Sequence, residues 1–407
     1  MPNKKPPETL SVLTLTSVYP RFREDTEVPW LRTSMRKLKE RGCGVTVAAP
    51  SYRGLKNHRI DDIPVYRYRY APAKLEFLTH EEGAPSKIAR NPFLQLLAVP
   101  YVISGSLKTL FLCLKLKPSV IHVHWPFPHA FMAYFAAFFR KTPVVLNFHG
   151  AELLLAKKKK WIKPVLRFFI KRADAVFANS SFTAKIVADI YKREIEISPY
   201  GTTFDGARAA RGGSGAAESA GKFTILFVGR HIERKGIEYL IKAAAALDPS
   251  VYQVRIAGQG DLTEKLKAQA AEEAPEQTVF LGKISKEELE KEYKNAGCFI
   301  LPAVVDSRGD TEGLGVVLIE AAEYGVPIIA SAVGGIADVI IDGKTGLLVK
   351  EKSSQELADA IKRLHDDPSL SKTLADNCLA RVNEFFSWDS ITEKQVAIYK
   401  NLVGCQP

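Results

Sequence analysis

The side chains best suited to chemistry lie between Asp306 and Ala330. An apolar run at 298–303 predicts a buried strand, and after a polar loop a Gly-Leu-Gly turn at 313–315 opens an apolar helix. A helix start of this kind presents unpaired N–H groups and positive charge, which favour a diphosphate. Glu312 and Glu320 cannot favour a phosphate, but carboxylates accept strongly from hydroxyl groups. The spacing therefore predicts a nucleotide-sugar site.

A second candidate element is the turn VGRHIERKG (228–236), which joins an apolar strand to a helix start. Arg230 offers a planar fork and Lys235 a compact charge, so together they can neutralise a diphosphate leaving group. The alternative is a pair of solvated charges, because cations gain nothing from the dipole at a helix start. The strand ends are expected to bring this turn to face the 312–320 motif, which favours the clamp.

Three histidines follow or lie within apolar strands of the first half. His149 ends a strand and is followed by glycine, so we expect its ring to point into a ligand cleft at the carboxyl end of that strand. His122 and His124 alternate on another strand and could be metal ligands, but no carboxylate or cysteine cluster accompanies them. Packing behind the site is the preferred interpretation for this pair.

The elements that must position these residues alternate between short apolar runs and amphipathic stretches, which predicts parallel sheets with helical crossovers. In the first half the predicted strands cover 10–17, 44–50, 120–125, 143–150 and 175–180. In the second half they start at 223–230 and continue through 252–258, 278–282, 298–303 and 327–331. The sequence thus predicts two similar α/β domains.

The predicted domain boundaries follow from composition. Residues 202–222 are rich in Gly, Ala and Ser and predict a linker between residues 1–201 and 223–386. The last pattern, 387–407, predicts a helix. Ser285 with Glu288 and Ser353 with Glu356 have the spacing of capping boxes, which would fix the starts of two helices.

Composition narrows the class of protein. A length of 407 residues favours two domains, and 46% hydrophobic with 25% charged residues is typical of a globular protein. Five scattered cysteines favour free buried thiols in a reducing cytoplasm. The longest apolar run, 93–116, is interrupted by Gln95, Pro100, Gly105 and Lys108, so we interpret it as buried or interfacial and predict no spanning helix.

The net charge of +12 calls for an anionic partner. Nucleic acid is disfavoured because no recognised nucleic-acid module is present. Residues 157–172 contain eight basic and no acidic side chains, and Lys160, Lys163, Arg167 and Lys171 follow helical spacing with Trp161 on an apolar face. Such a helix can lie on an anionic bilayer, which predicts peripheral membrane attachment and a lipid or lipid-linked acceptor. The alternative is a solvated charged face above a buried stripe.

Several motifs of the chain resemble those of a known family. The segment EGLGVVLIEAAEYGVPIIAS (312–331) resembles the Glu-x7-Glu signature of the retaining family 4 glycosyltransferases, and 228–236 resembles their Arg…Lys diphosphate clamp. Residues 333–349 resemble the next block of that family. The first half matches more loosely, through VIHVHW (120–125), NFHGAE (147–152) and ADAVFANS (173–180).

The resemblance implies the GT-B fold, with two Rossmann-like doubly wound domains facing a cleft and a C-terminal helix that crosses back onto the first domain. It implies sugar transfer from a nucleoside-diphosphate sugar to a hydroxyl of a glycan or lipid-linked acceptor. It also implies retention by a front-face route, in which the departing phosphate oxygen helps to deprotonate the acceptor. No Asp-x-Asp element stands where a metal-dependent enzyme would need it, so neither metal nor another cofactor is expected.

The resemblance also assigns roles to residues. Glu320 would accept from ribose hydroxyls, Glu312 would hold hydroxyls of the donor sugar, and His149 would approach the transferred sugar. Backbone and neighbouring contacts to the donor would come from Gly313, Leu314, Gly315, Val316, Gly258, Lys283 and Ile284. One departure is the loop after the first strand, which lacks the paired glycines common in the family; Arg21 or Arg23 could substitute.

Two other classes of protein stay open. A sugar-nucleotide 2-epimerase would use the same architecture, although the Glu-x7-Glu spacing and the clamp disfavour it. A non-catalytic, glycosyltransferase-like partner subunit is the other, although the intact candidate residues disfavour it. Neither the nucleotide base, the sugar nor the acceptor can be predicted from these motifs.

Overall fold

The computed structural model describes residues 9–25, 27–81, 84–201 and 221–404. The chain divides into two compact units, residues 1–203 with 388–407 (unit 1) and residues 204–387 (unit 2). Of the predicted linker, residues 202–220 lie outside the described residues. The four described cysteines are free and buried, as predicted, and Cys405 lies outside the described residues.

Unit 1 is built on an eight-stranded sheet. Its strands are β1 (Ser11–Leu15), β2 (Gly44–Pro50), β3 (His58–Ile60), β4 (Ile63–Tyr68), β5 (Val120–His124), β6 (Val144–Phe148), β7 (Ala175–Ala178) and β8 (Glu196–Ile197). Its helices are α1 (Pro29–Glu40), α2 (Ala84–Arg90), α3 (Ala98–Leu116), α4 (Pro126–Arg140), α5 (Ala151–Lys158), α6 (Ile162–Arg172), α7 (Ser181–Ile190) and α15 (Trp388–Leu402). The strand order is β3-β4-β2-β1-β5-β6-β7-β8, parallel except for the β3–β4 pair.

The strands of unit 1 alternate their side chains between two cores, as the two-residue period of a strand requires. Leu13 and Leu15 face a core shared with α3 to α7, while Val12 faces a core shared with α1 and α15. The C-terminal helix α15 therefore packs on unit 1, as predicted. Its Tyr399 hydroxyl lies 2.7 Å from Nδ1 of His122 in β5.

Unit 2 is built on a six-stranded parallel sheet. Its strands are β9 (Phe223–Val228), β10 (Tyr252–Ala257), β11 (Thr278–Gly282), β12 (Cys298–Leu301), β13 (Ile328–Ser331) and β14 (Leu347–Val349). Its helices are α8 (Ile237–Ala245), α9 (Thr263–Glu273), α10 (Lys286–Asn295), α11 (Val316–Glu323), α12 (Ile336–Val339), α13 (Ser354–Asp366) and α14 (Pro368–Phe385). The order β11-β10-β9-β12-β13-β14 is that of a doubly wound, Rossmann-like sheet.

One of the two predicted capping boxes is complete. Ser285 Oγ accepts from the Glu288 N–H, and the Glu288 carboxylate accepts from the Ser285 N–H at 2.7 Å. At the second helix Ser353 Oγ accepts from the Glu356 N–H, but the Glu356 carboxylate accepts from the Lys350 N–H instead. The prediction of a reciprocal box there is wrong, because Lys350 presents its N–H to the same carboxylate.

Candidate functional site

The candidate site of unit 2 lies where its strand order reverses, between β9 and β12. These two strands are neighbours in the sheet, so the turn after β9 (229–236) and the loop after β12 (302–315) start at adjacent carboxyl ends. Open α/β sheets bind their ligands at this point. The structure thus brings together the two motifs that the sequence presents about 80 residues apart.

A glycine holds the 229–236 turn against the 302–315 loop. Gly236 has φ +64°, and a Cβ at this position would lie 1.8 Å from the Pro302 carbonyl oxygen. Only glycine permits both this backbone conformation and this approach. Next to it the Val304 N–H donates to the Arg234 carbonyl at 2.9 Å, and Ser307 donates from its N–H and hydroxyl to Glu233.

Lys235 and Glu312 form a buried ion pair across these two segments. Lys235 Nζ donates to Glu312 Oε2 at 2.5 Å, and the two side chains are only 10% and 12% exposed. Burial alone would raise the pKa of Glu312, but Lys235 and Arg234 outweigh it and hold this pKa below its ordinary value. Glu312 is therefore ionised, and an anion that binds Lys235 must compete with it.

Arg230 and Arg234 differ in what they contact. Arg230 is exposed at the end of β9 and makes no side-chain hydrogen bond or ion pair with any described residue. Arg234 was not predicted as a site residue; its Nη1 donates to Asp310 and to the Thr311 carbonyl, both at 3.3 Å. Arg234 therefore stabilises the loop and adds positive charge beside Glu312, whereas Arg230 is available to an external anion.

The start of α11 has the geometry that the Gly-Leu-Gly turn predicts. Gly315 precedes the helix at φ +83°, and Leu314 is buried beneath it. The N–H groups of Val316 and Val317, in the first turn, have no acceptor within the helix. Gly313, Val316 and Val317 are half-buried, so these N–H groups are candidates to bind a ligand at the end of β12.

Glu320 is buried in α11 and is not a surface carboxylate. Its exposure is 8%, and Oε2 accepts from the hydroxyl of Tyr293 at 3.1 Å. Tyr293, in α10, is fully buried and stacks on Tyr324 with ring centroids 5.2 Å apart. Sequence reasoning missed Tyr293, because nothing in the spacing of α10 links it to a residue 27 positions later.

The Gly-x-Gly element at 258–260 packs on the 229–236 turn. Gly258 has φ +126°, and a Cβ there would lie 1.9 Å from the Gly229 carbonyl oxygen; a Cβ at Gly260 would meet the backbone of His231. Lys283 and Ile284 follow β11, exposed and half-buried respectively. The Gly258 N–H donates to the Gly282 carbonyl, so Gly258 adjoins the segment of Lys283 and Ile284, the other two predicted donor contacts at these strand ends.

In unit 1 His149 is surrounded by aromatic rings and a second histidine. Its Nδ1 lies 2.6 Å from the Tyr200 hydroxyl and its Nε2 lies 3.0 Å from Nδ1 of His124. Trp125 and Trp30 pack on its ring with centroids 4.5 and 5.1 Å away. We call these five residues the aromatic–histidine cluster. Burial lowers the pKa of His149 to about 3, so the ring is neutral near pH 7.

Buried polar atoms adjoin this cluster. His124 Nε2 and Asn147 Oδ1 are buried and have no hydrogen-bond partner among the described residues. Both residues line a small cavity together with Trp30 and Tyr200. The rings of His122 and His124 lie with centroids 4.3 Å apart and planes tilted by 37°, and the Tyr399 hydroxyl is hydrogen-bonded to His122. Within the described chain, no group of three or more His, Cys, Asp or Glu residues could hold a metal ion.

Glu152 fixes the backbone at His149. Its Oε1 accepts from the His149 N–H at 2.8 Å at the start of α5. The carboxyl is buried, and this raises its pKa to about 7 despite hydrogen bonds from the backbone N–H groups of 149, 150 and 152. Glu152, the last residue of the NFHGAE motif, thus holds the backbone of His149 in place.

The loop after β1 does not offer a free arginine at position 21. Arg21 Nε donates to Asp25 Oδ2 at 2.7 Å and Nη2 to Oδ1 at 3.0 Å. Arg23 is largely exposed and lies 3.8 Å from Asp61. Of the two candidates for the missing glycine pair, Arg21 is therefore bound to Asp25, and Arg23 is the more accessible.

The basic segment is two helices and not one. α5 ends at Lys158 and α6 starts at Ile162, so Lys160 lies in the turn between them and does not share a helix with Lys163 and Lys171. Arg167 donates to the Ile190 carbonyl at 3.0 Å. The prediction of one continuous basic helix is wrong. α6 is a separate helix that packs on the core through its buried side chains Ile162, Leu166, Phe169 and Ile170. Lys163, Lys171 and Trp161 are exposed.

Two family models match the chain. The Glycosyltransferase Family 4 model matches residues 31–203, and the model of Glycosyl transferases group 1 matches residues 215–380. The second match includes the candidate site of unit 2, with Arg230, Lys235, Glu312 and Glu320. The chain belongs to the family 4 glycosyltransferases, and the prediction of a glycosyltransferase is confirmed at this level.

Several relatives are similar to the chain. A 41.2 kDa protein from the cps region of Klebsiella pneumoniae is 30% identical over 60% of this chain and 68% of its own length. A D-rhamnosyltransferase of Pseudomonas aeruginosa is 28% identical over 67% of this chain and 71% of its own length. An uncharacterised glycosyltransferase of Methanocaldococcus jannaschii is 34% identical over 43% of this chain, but the match spans only 44% of that relative.

Solved structures confirm the predicted fold class. A sucrose-phosphate synthase from Thermosynechococcus elongatus has a TM-score of 0.73, 20% identity, and covers 97% of this chain and 100% of its own. Anabaena HepE in complex with UDP has a TM-score of 0.69, 18% identity, and covers 96% of this chain and 100% of its own. At these identities the likeness shows the fold of two Rossmann-like sheets.

Proposed function

We propose that the protein is a retaining glycosyltransferase that moves a sugar from a nucleoside-diphosphate sugar to a hydroxyl of a glycan or lipid-linked acceptor, in polysaccharide or glycolipid synthesis. The observation that carries this proposal is the convergence of Arg230, Lys235 and the start of α11 at the switch point of unit 2. Two cations beside a helix start suit the binding of a diphosphate. Similarity to a solved structure whose title names UDP, and to a D-rhamnosyltransferase, supports the same class of donor.

We assign the donor roles to unit 2. Arg230 and the N–H groups at the start of α11 bind the diphosphate, and Lys235 joins them when an anion displaces Glu312. Glu312 then accepts from hydroxyls of the donor sugar, and Glu320, oriented by Tyr293, accepts from the ribose. Two cations and a helix start neutralise the leaving group, so the proposed chemistry uses no metal.

We assign the acceptor to unit 1. The aromatic–histidine cluster offers ring faces. His124 Nε2 and Oδ1 of the adjoining Asn147 add buried polar atoms without a partner among the described residues. Such a mixture of apolar walls and a few convergent polar groups suits a small-molecule site, and a sugar carries both apolar faces and hydroxyls. A sugar hydroxyl that displaces the Tyr200 hydroxyl from Nδ1 of His149, or His124 from its Nε2, can then donate to or accept from this neutral ring.

A thermal-shift experiment tests the donor site. We expect one of UDP, GDP or ADP to raise the melting temperature of the wild-type protein selectively, with CMP as a weaker ligand that lacks the second phosphate. Ligand at about 100 times its dissociation constant stabilises by about 2.7 kcal/mol. Glu320→Ala should lose most of this shift, because the ribose hydroxyls lose their acceptor.

Two controls make the thermal-shift result interpretable. Glu323→Gln, in the same helix, should keep the wild-type shift. Tyr293→Phe should weaken the shift only partly, since it removes the hydroxyl that orients Glu320 and leaves the carboxylate. If no nucleoside diphosphate stabilises the wild-type protein, the non-catalytic alternative is favoured and the donor assignment fails.

For location we propose the cytoplasmic side, with peripheral attachment to an anionic membrane. Lys157 to Lys160 are all exposed, at the end of α5 and in the turn after it. Replacing these four lysines with glutamine is expected to lower binding to phosphatidylglycerol vesicles by about 100-fold or more at low salt, since each cation near such a surface contributes about 1 kcal/mol. Sedimentation with vesicles measures it; binding equal to that of the wild type would contradict the proposal.

A further inference from the structure

The outer surface of α3 is apolar along most of its length. Val99, Ile103, Leu107, Phe111 and Leu114 are each between 52% and 64% exposed. Their spacing of three or four residues places them in one stripe of the helix. A surface helix in water normally exposes polar side chains, whereas α3 exposes this apolar stripe. Contiguous exposed apolar surface of this extent marks an interaction site.

The neighbouring helix α4 extends this surface. Phe135, Phe138 and Phe139 are exposed by 41%, 82% and 57%. The helices pack closely, because a Cβ at Gly105 of α3 would lie 2.4 Å from Sδ of Met132 in α4. We call the exposed apolar side chains of residues 99–114 and 135–139 the α3–α4 face.

The two stripes lie on the same side of unit 1. Tyr101 and Leu112 of α3 and Met132 and Ala136 of α4 belong to one core cluster beneath one face of the sheet. Both helices therefore bury one side against that core, and their opposite sides point away from the sheet together. Because its buried side packs on the core along the helix, α3 lies flat against unit 1.

The charged side chains in the segment that contains this face are almost all basic. Residues 84–173 contain 15 of the 57 lysines and arginines of the chain but one of its 45 acidic residues, Glu152, which is buried. The whole net charge of +12 is thus accounted for by this segment. Lys108 and Lys115 flank the stripe, with Nζ atoms 5.9 and 5.7 Å from the ring centre of Phe111. Lysines beside an apolar stripe can extend to lipid headgroups while their stems stay on it.

We infer that the α3–α4 face inserts into the facing leaflet of an anionic lipid bilayer, with α3 parallel to the membrane plane. The inference deepens the proposed function, on whose membrane-linked acceptor it rests. It differs from attraction of the basic segment alone, because apolar side chains would enter the acyl boundary, to a depth of roughly 5–10 Å.

A bilayer fits this face better than the other occupants do. A second copy of the chain would bring two strongly positive surfaces together, which repel at physiological salt. In the described part of the chain one helix, Pro92–Leu116, is long and apolar enough to cross a membrane by composition. Crossing would require α3 to leave the core that holds Tyr101 and Leu112, whereas insertion in the membrane plane keeps these contacts.

Vesicle flotation of the full-length protein tests the inference. In about 1 M salt, where the screening length is roughly 3 Å, adsorption by charge alone is lost but insertion persists. We expect the wild-type protein to stay bound to phosphatidylglycerol–phosphatidylcholine vesicles in this salt. The double variant Leu107→Gln/Phe111→Gln should bind at least about 10-fold more weakly, because two large side chains no longer leave water.

The control replaces two exposed apolar residues of unit 2, Ile341→Gln/Phe385→Gln, which are 37% and 49% exposed, and should bind as the wild type does. As a second readout, Leu107→Trp in a Trp161→Phe background should be quenched by lipids brominated on the acyl chain. Unchanged binding of Leu107→Gln/Phe111→Gln, or no quenching at position 107, overturns the inference. So does a wild-type dimer without vesicles that these two substitutions convert to a monomer.

The donor assignment is tested separately on the same variants. Leu107 and Phe111 belong to unit 1, whereas the 229–236 turn and the 302–315 loop belong to unit 2, and Ile341 and Phe385 lie outside both segments. Nucleoside-diphosphate stabilisation of all these variants should therefore be that of the wild type. Loss of insertion with intact stabilisation overturns the inference alone. Insertion without stabilisation by any nucleoside diphosphate overturns the donor assignment alone.

Discussion

Arg230→Ala is expected to lower kcat/KM for sugar transfer by about 100- to 1,000-fold while leaving the melting temperature of the ligand-free protein unchanged. The guanidinium is exposed and makes no side-chain hydrogen bond or ion pair with the described residues, so its removal leaves no buried group without a partner. Its proposed contribution is made to the diphosphate, whose negative charge increases as the glycosidic bond to it breaks. The loss should therefore fall on kcat more than on donor affinity.

The measurement is release of nucleoside diphosphate from the donor sugar that the thermal-shift screen identifies. Arg308→Ala is the control for net charge, since Arg308 lies on the 302–315 loop but its side chain is 63% exposed and pairs with Asp306. It should retain turnover within a few-fold of the wild type. Equal turnover of Arg230→Ala and wild type would show that Arg230 does not serve the leaving group.

Lys235 cannot be tested in the same way. Its Nζ is bound to Glu312 in a largely buried pair, so Lys235→Ala would leave a buried carboxylate without its cation. Breaking such a pair commonly costs about 3–5 kcal/mol of stability. A loss of activity in that variant would mix folding with chemistry, which is why Arg230 is the sharper test of the clamp.

Local sequence patterns predicted most of the parallel strands because each is a short, nearly continuous apolar run. β2 and β11 start and end at the predicted residues. β3 and β4 were not predicted. β3 is an edge strand of three residues, and β4, between β3 and β2, alternates buried Ile63 and Val65 with half-buried residues, while its Arg67 is a buried cation that breaks the apolar pattern. Edge strands and short strands such as β8 depend on pairing, which a single sequence does not display.

The candidate site was predictable where chemistry and spacing coincide along the chain. Glu312, Glu320, Arg230 and Lys235 were predicted as site residues from two short motifs. The residues that orient them were not: Tyr293 reaches Glu320 from another helix, and Tyr200 reaches His149 from 51 residues away. The Lys235–Glu312 pair was missed for a different reason, since each residue was considered only with a ligand.

The outer faces of α3 and α6 show the limit of periodicity. Composition identified 93–116 as apolar, but whether that helix buries or exposes its stripe depends on where the sheet lies. The structure shows Tyr101 and Leu112 inside and Leu107 and Phe111 outside. In the basic segment, Leu166 and Phe169 enter the core, whereas Trp161, on the predicted apolar face, is exposed.

Unit 1 is expected to unfold in mild acid while unit 2 stays folded. Five of the eight histidines, His80, His122, His124, His129 and His149, are buried in unit 1 or largely enclosed there. Burial lowers the pKa of His80, His122 and His149 to about 3 and of His129 to about 4, from an ordinary value of 6.5. The pKa of His124 is also lowered, first by burial and then by the neighbouring histidines.

The sign of the pH dependence follows from these directions. A histidine whose pKa is lower in the folded protein contributes stability that is fully present above 6.5 and is lost as the pH falls towards its folded pKa, because the unfolded chain binds the proton first. Each such histidine costs about 1.4 kcal/mol per pH unit. By about pH 5 the five together remove on the order of 5–10 kcal/mol, which is comparable to the stability of a whole domain.

Glu152 opposes this loss in part. Its pKa is raised to about 7 from 4.5, so its contribution is fully present below 4.5 and is lost progressively as the pH rises to and through about 7. Acidification therefore stabilises unit 1 through Glu152 by about 1.4 kcal/mol per pH unit in that window, which offsets one histidine. The remaining imbalance still favours unfolding in acid.

Calorimetry between about pH 7.5 and pH 5 tests this prediction, since two units should give two transitions that separate as the pH falls. The transition of unit 1 should move down steeply and that of unit 2 only slightly. His122→Asn, which keeps an acceptor for Tyr399, should reduce the slope for unit 1 by about 1.4 kcal/mol per pH unit. His365→Gln, on the surface of unit 2, should leave that slope unchanged. A unit 1 transition that does not move with pH would show that these histidines bind protons in the folded protein as readily as in the unfolded chain, and would contradict the lowered pKa of His149.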